Sequence, residues 1–405
     1  MLRRVVSTSY RDGVPRLDIS SLLRDYLMTA TSTTTLTTLT TPCFWTSTRT
    51  NASERPSSSA SSASSASSSA SSSPPSIFDV CVKASQRDRA AYLSRRRSTS
   101  GSLRAAPDPD SDSFQSEVAG RVIERVEDCT RRFRRALVLG GAGSAVVRGL
   151  LSSAGVGEHL ERVVVADHSA EMLGLAKERI EGMECIARRA EVVYHQMDAG
   201  DVSEGIGLGI DAGEPGGGNF DLVVSCLHLH WVNDIPGVMT QCRRLMRPDG
   251  FFVAAMLGGE TLQEMRIACT LAQQERLGGV AARTSPAVYV RDAGSLLVRA
   301  GFEMPAVDVD DFVVKYADVM GVVEHVRGMG EQGGLVMRSA LGRDVALAAG
   351  AVYEGMFGGH EGGRGYVPAT YQVVYMSGWS PGEGQGKAKR RGSATVSFKD
   401  LESLV

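Results

Sequence analysis

Apolar and polar positions divide the chain into stretches with different periods. In the middle of the chain, short apolar runs alternate with amphipathic segments. Residues 136–139 read as a strand running into Gly140-Gly141-Ala142-Gly143, and a helix follows through residue 151. A second strand, 162–166, ends at Asp167 and feeds a helix over 169–180. A third strand, 191–194, ends near Asp198. After the glycine-rich stretch 200–218 comes a fourth, 221–226, and a fifth covers 251–257, entered through the turn Arg247-Pro-Asp-Gly. This rhythm predicts a doubly wound α/β domain, a parallel sheet with helices on both faces.

Beyond Gly258 the pattern changes. Residues 260–277 and 294–300 read as helices, and 306–316 as a hairpin or bent strand. A helical insertion fills 318–357 and a last strand covers 367–379. Ahead of the sheet, Phe114, Val118, Val122, Ile123 and Val126 recur at helical spacing and predict one apolar face. The resulting plan is a leader over 1–76, a helical region over 77–135, the α/β domain over 136–380, and a linker and tail over 381–405. Within the helical region, the polar stretch 94–113, with Arg95-Arg96-Arg97, reads as a solvated loop; a nucleic-acid patch is the sharper alternative.

The leader lacks any sustained apolar period. Its positive charge comes from arginine alone, the first lysine being Lys83, and serine and threonine dominate from Thr31 through the run at 57–73. Such a stretch buries too little apolar surface to offset its ordering entropy. Arginine-rich, lysine-free and hydroxyl-rich, it fits an organelle transit peptide. Asp12, Asp18, Asp25 and Glu54 run against that composition and keep a plain disordered tail as the alternative.

Composition narrows the classes of function. A net charge of -2 over 405 residues argues against a general polyanion binder, so nucleic acid is not an expected partner. The longest clean apolar run, 251–257, is far too short to cross a bilayer. Seven cysteines without a C-x-x-C pair point away from a disulfide framework or a zinc site and toward a reducing compartment.

The candidate chemistry lies where the strands end. Glycines at a strand-to-helix turn bring backbone amides close to a ligand, which makes Gly140, Gly141 and Gly143 candidate cofactor contacts. Asp167, 24 residues after Gly143, can accept from both hydroxyls of a ribose or simply cap the next helix. Asp198, past the third strand, could read an adenine amino group or be a solvated loop carboxylate. The densest polar and aromatic cluster, Ser225-Cys-Leu-His-Leu-His-Trp-Val-Asn-Asp234, follows the fourth strand. There His230 and Trp231 are candidates for a general base and a pocket wall, with Asp234 beside them. His228, His230 and Asp234 could make a two-histidine, one-carboxylate iron site, but their spacing does not match its usual pattern, so no metal is expected. Asn233-Asp234 could equally cap a helix starting near Ile235. Gly328-Met-Gly-Glu331 and residues 366–379 read as turns and strand edges.

The sequence resembles the mitochondrial complex I assembly factor 5 family, the arginine-hydroxylase assembly factors. The resemblance runs from Ile77-Phe-Asp79 to Arg391-Gly-Ser-Ala-Thr-Val-Ser397. It is carried by Gln86-Arg-Asp-Arg-Ala-Ala91, Phe220-Asp-Leu-Val-Val-Ser225, Leu229-His-Trp-Val-Asn-Asp234, Gly258-Gly-Glu-Thr-Leu262, Gly328-Met-Gly-Glu331 and Val367-Pro-Ala-Thr-Tyr-Gln372. It implies a seven-stranded class I methyltransferase-like sheet with extra C-terminal helices. It also implies S-adenosylmethionine on Gly140 to Gly143, with its ribose on Asp167 and its adenine near Asp198. The implied setting is the matrix side of the mitochondrial inner membrane, in peripheral contact with it. The implied reaction is hydroxylation of an arginine in a complex I matrix-arm subunit. The chain departs from the family pattern at Val138, where an acid is usual, and at Gly141-Ala142, where Cys-Gly is usual. Losing that acid removes a partner for the cofactor's ammonium group. The His-Trp-x-Asn-Asp segment also resembles carrier-protein methyltransferases. Carboxyl methyl transfer and a non-catalytic chaperone are therefore the competing expectations.

Overall fold

The computed structural model describes residues 76–100, 113–183, 189–197, 200–202, 219–337, 340–361, 363–383, 385–386 and 392–393. The leader 1–75, most of the tail, the glycine-rich stretch 203–218 and Asp198 lie outside the described residues.

The strands are β1 (Arg135–Leu139), β2 (Arg162–Asp167), β3 (Glu191–Gln196), β4 (Phe220–Cys226), β5 (Met246–Leu257), β6 (Glu303–Tyr316), β7 (Gly359–Glu361) and β8 (Arg364–Trp379). The helices are α1 (Val80–Ser100), α2 (Ser113–Glu127), α3 (Gly143–Ser152), α4 (Ala170–Glu181), α5 (Ile235–Leu245), α6 (Gln263–Leu277), α7 (Val290–Ala300), α8 (Val319–Met329) and α9 (Arg343–Phe357). The sheet order is β3-β2-β1-β4-β5-β8-β6. The first five strands are parallel, and β8 is antiparallel to both of its neighbours. The strand order reverses beside β1, and sheets of this kind bind ligands outside the carboxyl ends of the strands at such a point, here β1, β2 and β4.

Side-chain alternation builds a core on each face of the sheet. Val138, Val163, Val165 and Val224 face one core, closed by Phe114, Val118 and Val122 of α2 and by Val146 and Leu150 of α3. Leu137, Leu139, Val164 and Val223 face the other, closed by Val238 and Cys242 of α5 and Leu297 of α7. Val138 is wholly buried, paired in register with Val165 and Val224. A carboxylate at that position would be desolvated among valines.

Of the two readings of 306–316, the strand holds and the hairpin does not: β6 pairs with β8 from Ala306 to Tyr316, with a register shift between Glu303 and Ala306. Two expectations need correction. An eighth strand, β7, turns back on β8 beyond the seven expected. The predicted loop beginning at Ser94 is, up to Ser100, the last part of α1. Ser94 is buried and accepts from Arg179 at 2.8 Å, while Arg95 bridges Glu171 and Glu178. Helix α1 has no apolar stripe. The side it buries carries Lys83, Arg87, Ala90, Ala91 and Ser94, so it is held largely by charge and hydrogen bonding.

Candidate active site at the carboxyl edge of the sheet

The turn after β1 is left-handed at two positions where there is no room for a side chain. Gly140 and Gly141 have φ of +48° and +56°. A Cβ on Gly141 would lie 1.6 Å from the carbonyl oxygen of Cys226, and one on Gly140 would lie 2.3 Å from His228 Nδ1. The exit of β1 is thus pressed against the exit of β4, and this close approach accounts for both glycines. Gly143 opens α3, its Cβ position in ordinary contact with Val165.

Asp167 ends β2 and is buried. Its Oδ2 accepts from Arg87 Nη2 at 2.6 Å; its Oδ1 accepts from Ser169 N at 2.9 Å and Arg87 Nε at 3.3 Å. Arg87 also donates to the Gly141 carbonyl at 3.3 Å. Burial pushes the Asp167 carboxyl up, but the Arg87 guanidinium and neighbouring His168 outweigh it and hold the group below the usual carboxylate range. Of the helix cap read as shared between Asp167 and Ser169, Ser169 makes the cap contact, accepting from Met172 N, while Asp167 accepts from the backbone of Ser169. Ser169 in turn donates to Asp88 at 2.6 Å, a second tie to α1.

A second buried carboxylate, Glu331, follows α8. His230 Nε2 lies 2.9 Å from its Oε2, and Trp231 Nε1 donates to the same oxygen. Lys83 Nζ sits 4.0 Å from that oxygen and 3.3 Å from the centroid of the Trp231 ring, and it donates to the Gly330 carbonyl at 2.7 Å. Burial pushes the Glu331 carboxyl up, but Lys83 and His230 more than reverse this and bring it to about 2. Burial, only partly opposed by Glu331, brings the Lys83 ammonium down to about 7. An ionised Glu331 only accepts, so the His230 Nε2 beside it is the donor of that contact.

Several buried polar atoms here have no hydrogen-bond partner among the described residues: Glu331 Oε1, His230 Nδ1, Ser225 Oγ and His228 Nε2. Such atoms are costly to bury without a partner. His228, tucked over Gly140 with its ring centroid 6.0 Å from that of His168, is kept neutral, burial lowering it to about 3.

The structure therefore brings together Gly140, Gly141, Asp167, His230 and Trp231, five of the residues singled out from sequence. Asp234 does not join them. It is exposed and caps α5 by accepting from Gly237 N at 2.9 Å, so the iron triad raised for His228, His230 and Asp234 is not assembled. Asn233 clamps the start of the described chain instead: its Oδ1 accepts from Ile77 N and Phe78 N, and its Nδ2 donates to the Phe78 carbonyl. Lys83, Arg87 and Glu331 were missed as site residues. A lysine and an arginine one helical turn apart look like a solvated face, and Glu331 follows a glycine-bounded turn. Arg87 and Glu331 lie within the segments Gln86 to Ala91 and Gly328 to Glu331, whereas Lys83 lies in neither.

The edge fits one half of an adenosylmethionine better than the other. Asp167 stands where ribose hydroxyls would donate, though Arg87 now takes both of its oxygens. Val138 offers nothing to an ammonium group, and the expected adenine contact at Asp198 lies outside the described residues.

Comparison with known proteins places this geometry. A family model described as "Methyltransferase domain" matches residues 137–254, from β1 into β5. The mitochondrial arginine-hydroxylase NDUFAF5 of Danio rerio is 36% identical over 330 residues, covering 81% of this chain and 90% of that protein. The Homo sapiens arginine-hydroxylase NDUFAF5 is 36% identical over 332 residues, 81% of this chain and 84% of that one. The malonyl-[acyl-carrier protein] O-methyltransferase of Methylovorus is 32% identical over 165 residues, 40% of this chain and 52% of that protein.

Proposed function

Because this chain belongs to the family of the mitochondrial arginine-hydroxylase NDUFAF5, we propose that it hydroxylates an arginine side chain of a complex I matrix-arm subunit during assembly of that complex. The observation that carries this reading is the reach of the identity. It extends over 81% of the chain with the hydroxylases and 40% with the carboxyl methyltransferase, so segments outside the shared methyltransferase domain go with the former. The site chemistry agrees. Glu331, ionised and buried, opposes a carboxylate substrate and favours a cationic one.

The reaction turns an arginine C–H bond into C–O–H, a two-electron oxidation. Balanced as a mono-oxygenation, one atom of dioxygen enters the arginine. The other leaves as water with two protons and two electrons from an external reductant. The residues described here bind and orient the guanidinium, exclude water and hold the proton of His230 on Nε2. Asp167 would hold the ribose of S-adenosylmethionine, with Gly140, Gly141 and Gly143 at the turn beside it; when bound, that group supplies an activated methyl. The work takes place in the mitochondrion, as in the relatives' names, and we place it on the matrix side of the inner membrane in peripheral contact with it. Among the described residues no helix is long and apolar enough to cross a membrane.

Mass spectrometry of matrix-arm subunits from cells with and without this gene tests the reading. Loss of one oxygen's mass from an arginine supports it. Loss of a methylene's mass moves the function to methyl transfer, the second reading, which rests on the methyltransferase domain at 137–254. Failed assembly with every mass unchanged leaves a chaperone.

A further inference from the structure

The two buried carboxylates at the sheet edge are each capped by a cation from the same helix. Lys83 and Arg87 lie four residues apart, on one face of α1. Arg87 covers Asp167 and Lys83 covers Glu331. The two caps differ in how well they satisfy what they cover. Asp167 accepts on both oxygens, two of its bonds coming from Arg87. Glu331 is lopsided. His230 and Trp231 bond Oε2 and the Lys83 ammonium stands 4.0 Å from that same oxygen, beyond hydrogen-bond reach, while Oε1 is buried with no donor. His230 Nδ1, one residue before Trp231, is a second buried polar atom with no hydrogen-bond partner among the described residues. A compact ammonium with three donors, spent here on backbone carbonyls at 330 and 332, leaves this carboxylate half-served.

A planar guanidinium would serve it better. It carries five donors in a fork that matches a carboxylate, and it stacks on an aromatic face. The Trp231 ring, over which Lys83 now lies, offers such a face. We propose that Glu331, His230 and Trp231 form the subsite that receives the guanidinium of the substrate arginine, and that Lys83 is a resident surrogate cation which the substrate displaces. The subsite rests on the arginine-hydroxylase reading and names the residues that would recognise its substrate.

Entry follows from what closes the subsite. Phe78 stands edge-on to Trp231, 5.4 Å between ring centroids. Residues 77–79 are stitched to 334–336 by Asp79 N to the Gly334 carbonyl and Val336 N to the Ile77 carbonyl. The strap runs directly into the first turn of α1, which carries the lysine, so a single outward movement of that end uncovers Glu331.

Calorimetry on the full chain with N-acetyl-arginine methylamide, and with the citrulline and lysine analogues, tests the subsite directly. The arginine probe should bind about ten- to a hundredfold more tightly than neutral citrulline, the worth of one or two charge-assisted hydrogen bonds. Glu331→Gln should abolish that preference. Lys83→Met should tighten arginine binding about tenfold or more, a gain that misfolding cannot produce. Equal affinity for arginine and citrulline, or weaker arginine binding by a folded Lys83→Met, overturns the subsite. If the probes behave as expected but the complex I arginine carries no added oxygen, the hydroxylase reading fails and the guanidinium subsite stands. If oxygen is added and Glu331→Gln adds it with unchanged KM and probe affinity, the subsite fails and the hydroxylase reading stands.

Discussion

The ion pair between Arg87 and Asp167 is the most consequential polar contact between α1 and the sheet. Both side chains are almost wholly shielded, 3% and 7% exposed, and the shorter contact is 2.6 Å. Arg87→Met would keep the stem's packing and remove the charge, leaving Asp167 with one backbone donor, Ser169 N, in a buried site. Breaking such a pair from one side costs about 3–5 kcal/mol, because the remaining charge is left uncompensated. Asp167→Asn should cost a similar amount by stranding Arg87. The double variant should cost clearly less than the sum, with a coupling of about 2 kcal/mol or more between the two sites. Urea unfolding of the full chain followed by circular dichroism gives all three values, provided the m-value holds. The pair should also resist salt, whereas the half-exposed bridges of Arg95 to Glu171 and Glu178 should weaken as ionic strength rises. Single variants each costing under about 1 kcal/mol, or costs that simply add, would refute the placement of this helix on the sheet.

Other perturbations separate packing from recognition. Binding of the arginine probe should strengthen as pH rises through about 7 and level off above it, because Lys83, facing Glu331, Arg87 and Asp167, then loses its proton and ceases to compete; Lys83→Met should remove the dependence. Glu331 contributes stability that is fully present above its ordinary value near 4.5 and is lost as pH falls toward about 2, roughly 3 kcal/mol; the difference in unfolding free energy between wild type and Glu331→Gln should shrink over that window. Gly141→Ala should fail to fold or lose several kcal/mol, while Gly155→Ala, with open space around its Cβ, should stay within about 0.5 kcal/mol by thermal unfolding. Asp234→Ala should cost about 1 kcal/mol as a lost helix cap and leave probe binding unchanged.

What could be read in the sequence follows the kind of force that holds each part. The parallel strands were legible because both faces of the sheet are covered, so Arg162–Asp167 and Phe220–Cys226 are nearly continuous apolar runs ending in polar residues. The pairing of β6 with β8 was not, because most of β6 is only half-buried and its aspartates hide the period. At the site, Asp167 was legible from its place after a strand, and His230 and Trp231 from the crowding of polar and aromatic residues after β4. Lys83, Arg87 and Glu331 were invisible to any hydrophobic pattern. Each is buried by long-range pairing across some 80 to 250 positions, and no local period records that.

That same fact bears on how the site would work. A helix docked by an apolar stripe stays down unless something equally apolar replaces its partner. Helix α1 is docked instead largely by ion pairs and hydrogen bonds, among them two cations on two buried carboxylates, and those two contacts can be exchanged one for one with a ligand of like charge. A guanidinium arriving at Glu331 restores the charge that the departing Lys83 removes, so the buried carboxylate need not be left bare at either end of the exchange. Ribose hydroxyls at Asp167 would replace hydrogen bonds but not charge. Occupying Asp167 would therefore cost more unless Arg87 found another anion, and affinity for the proposed cofactor would be set by Arg87 as much as by Asp167. Arg87→Met should accordingly bind S-adenosylhomocysteine about tenfold more tightly than wild type in calorimetry, and Asp167→Ala should not bind it. Weaker binding by a folded Arg87→Met would show that the arginine itself holds the cofactor.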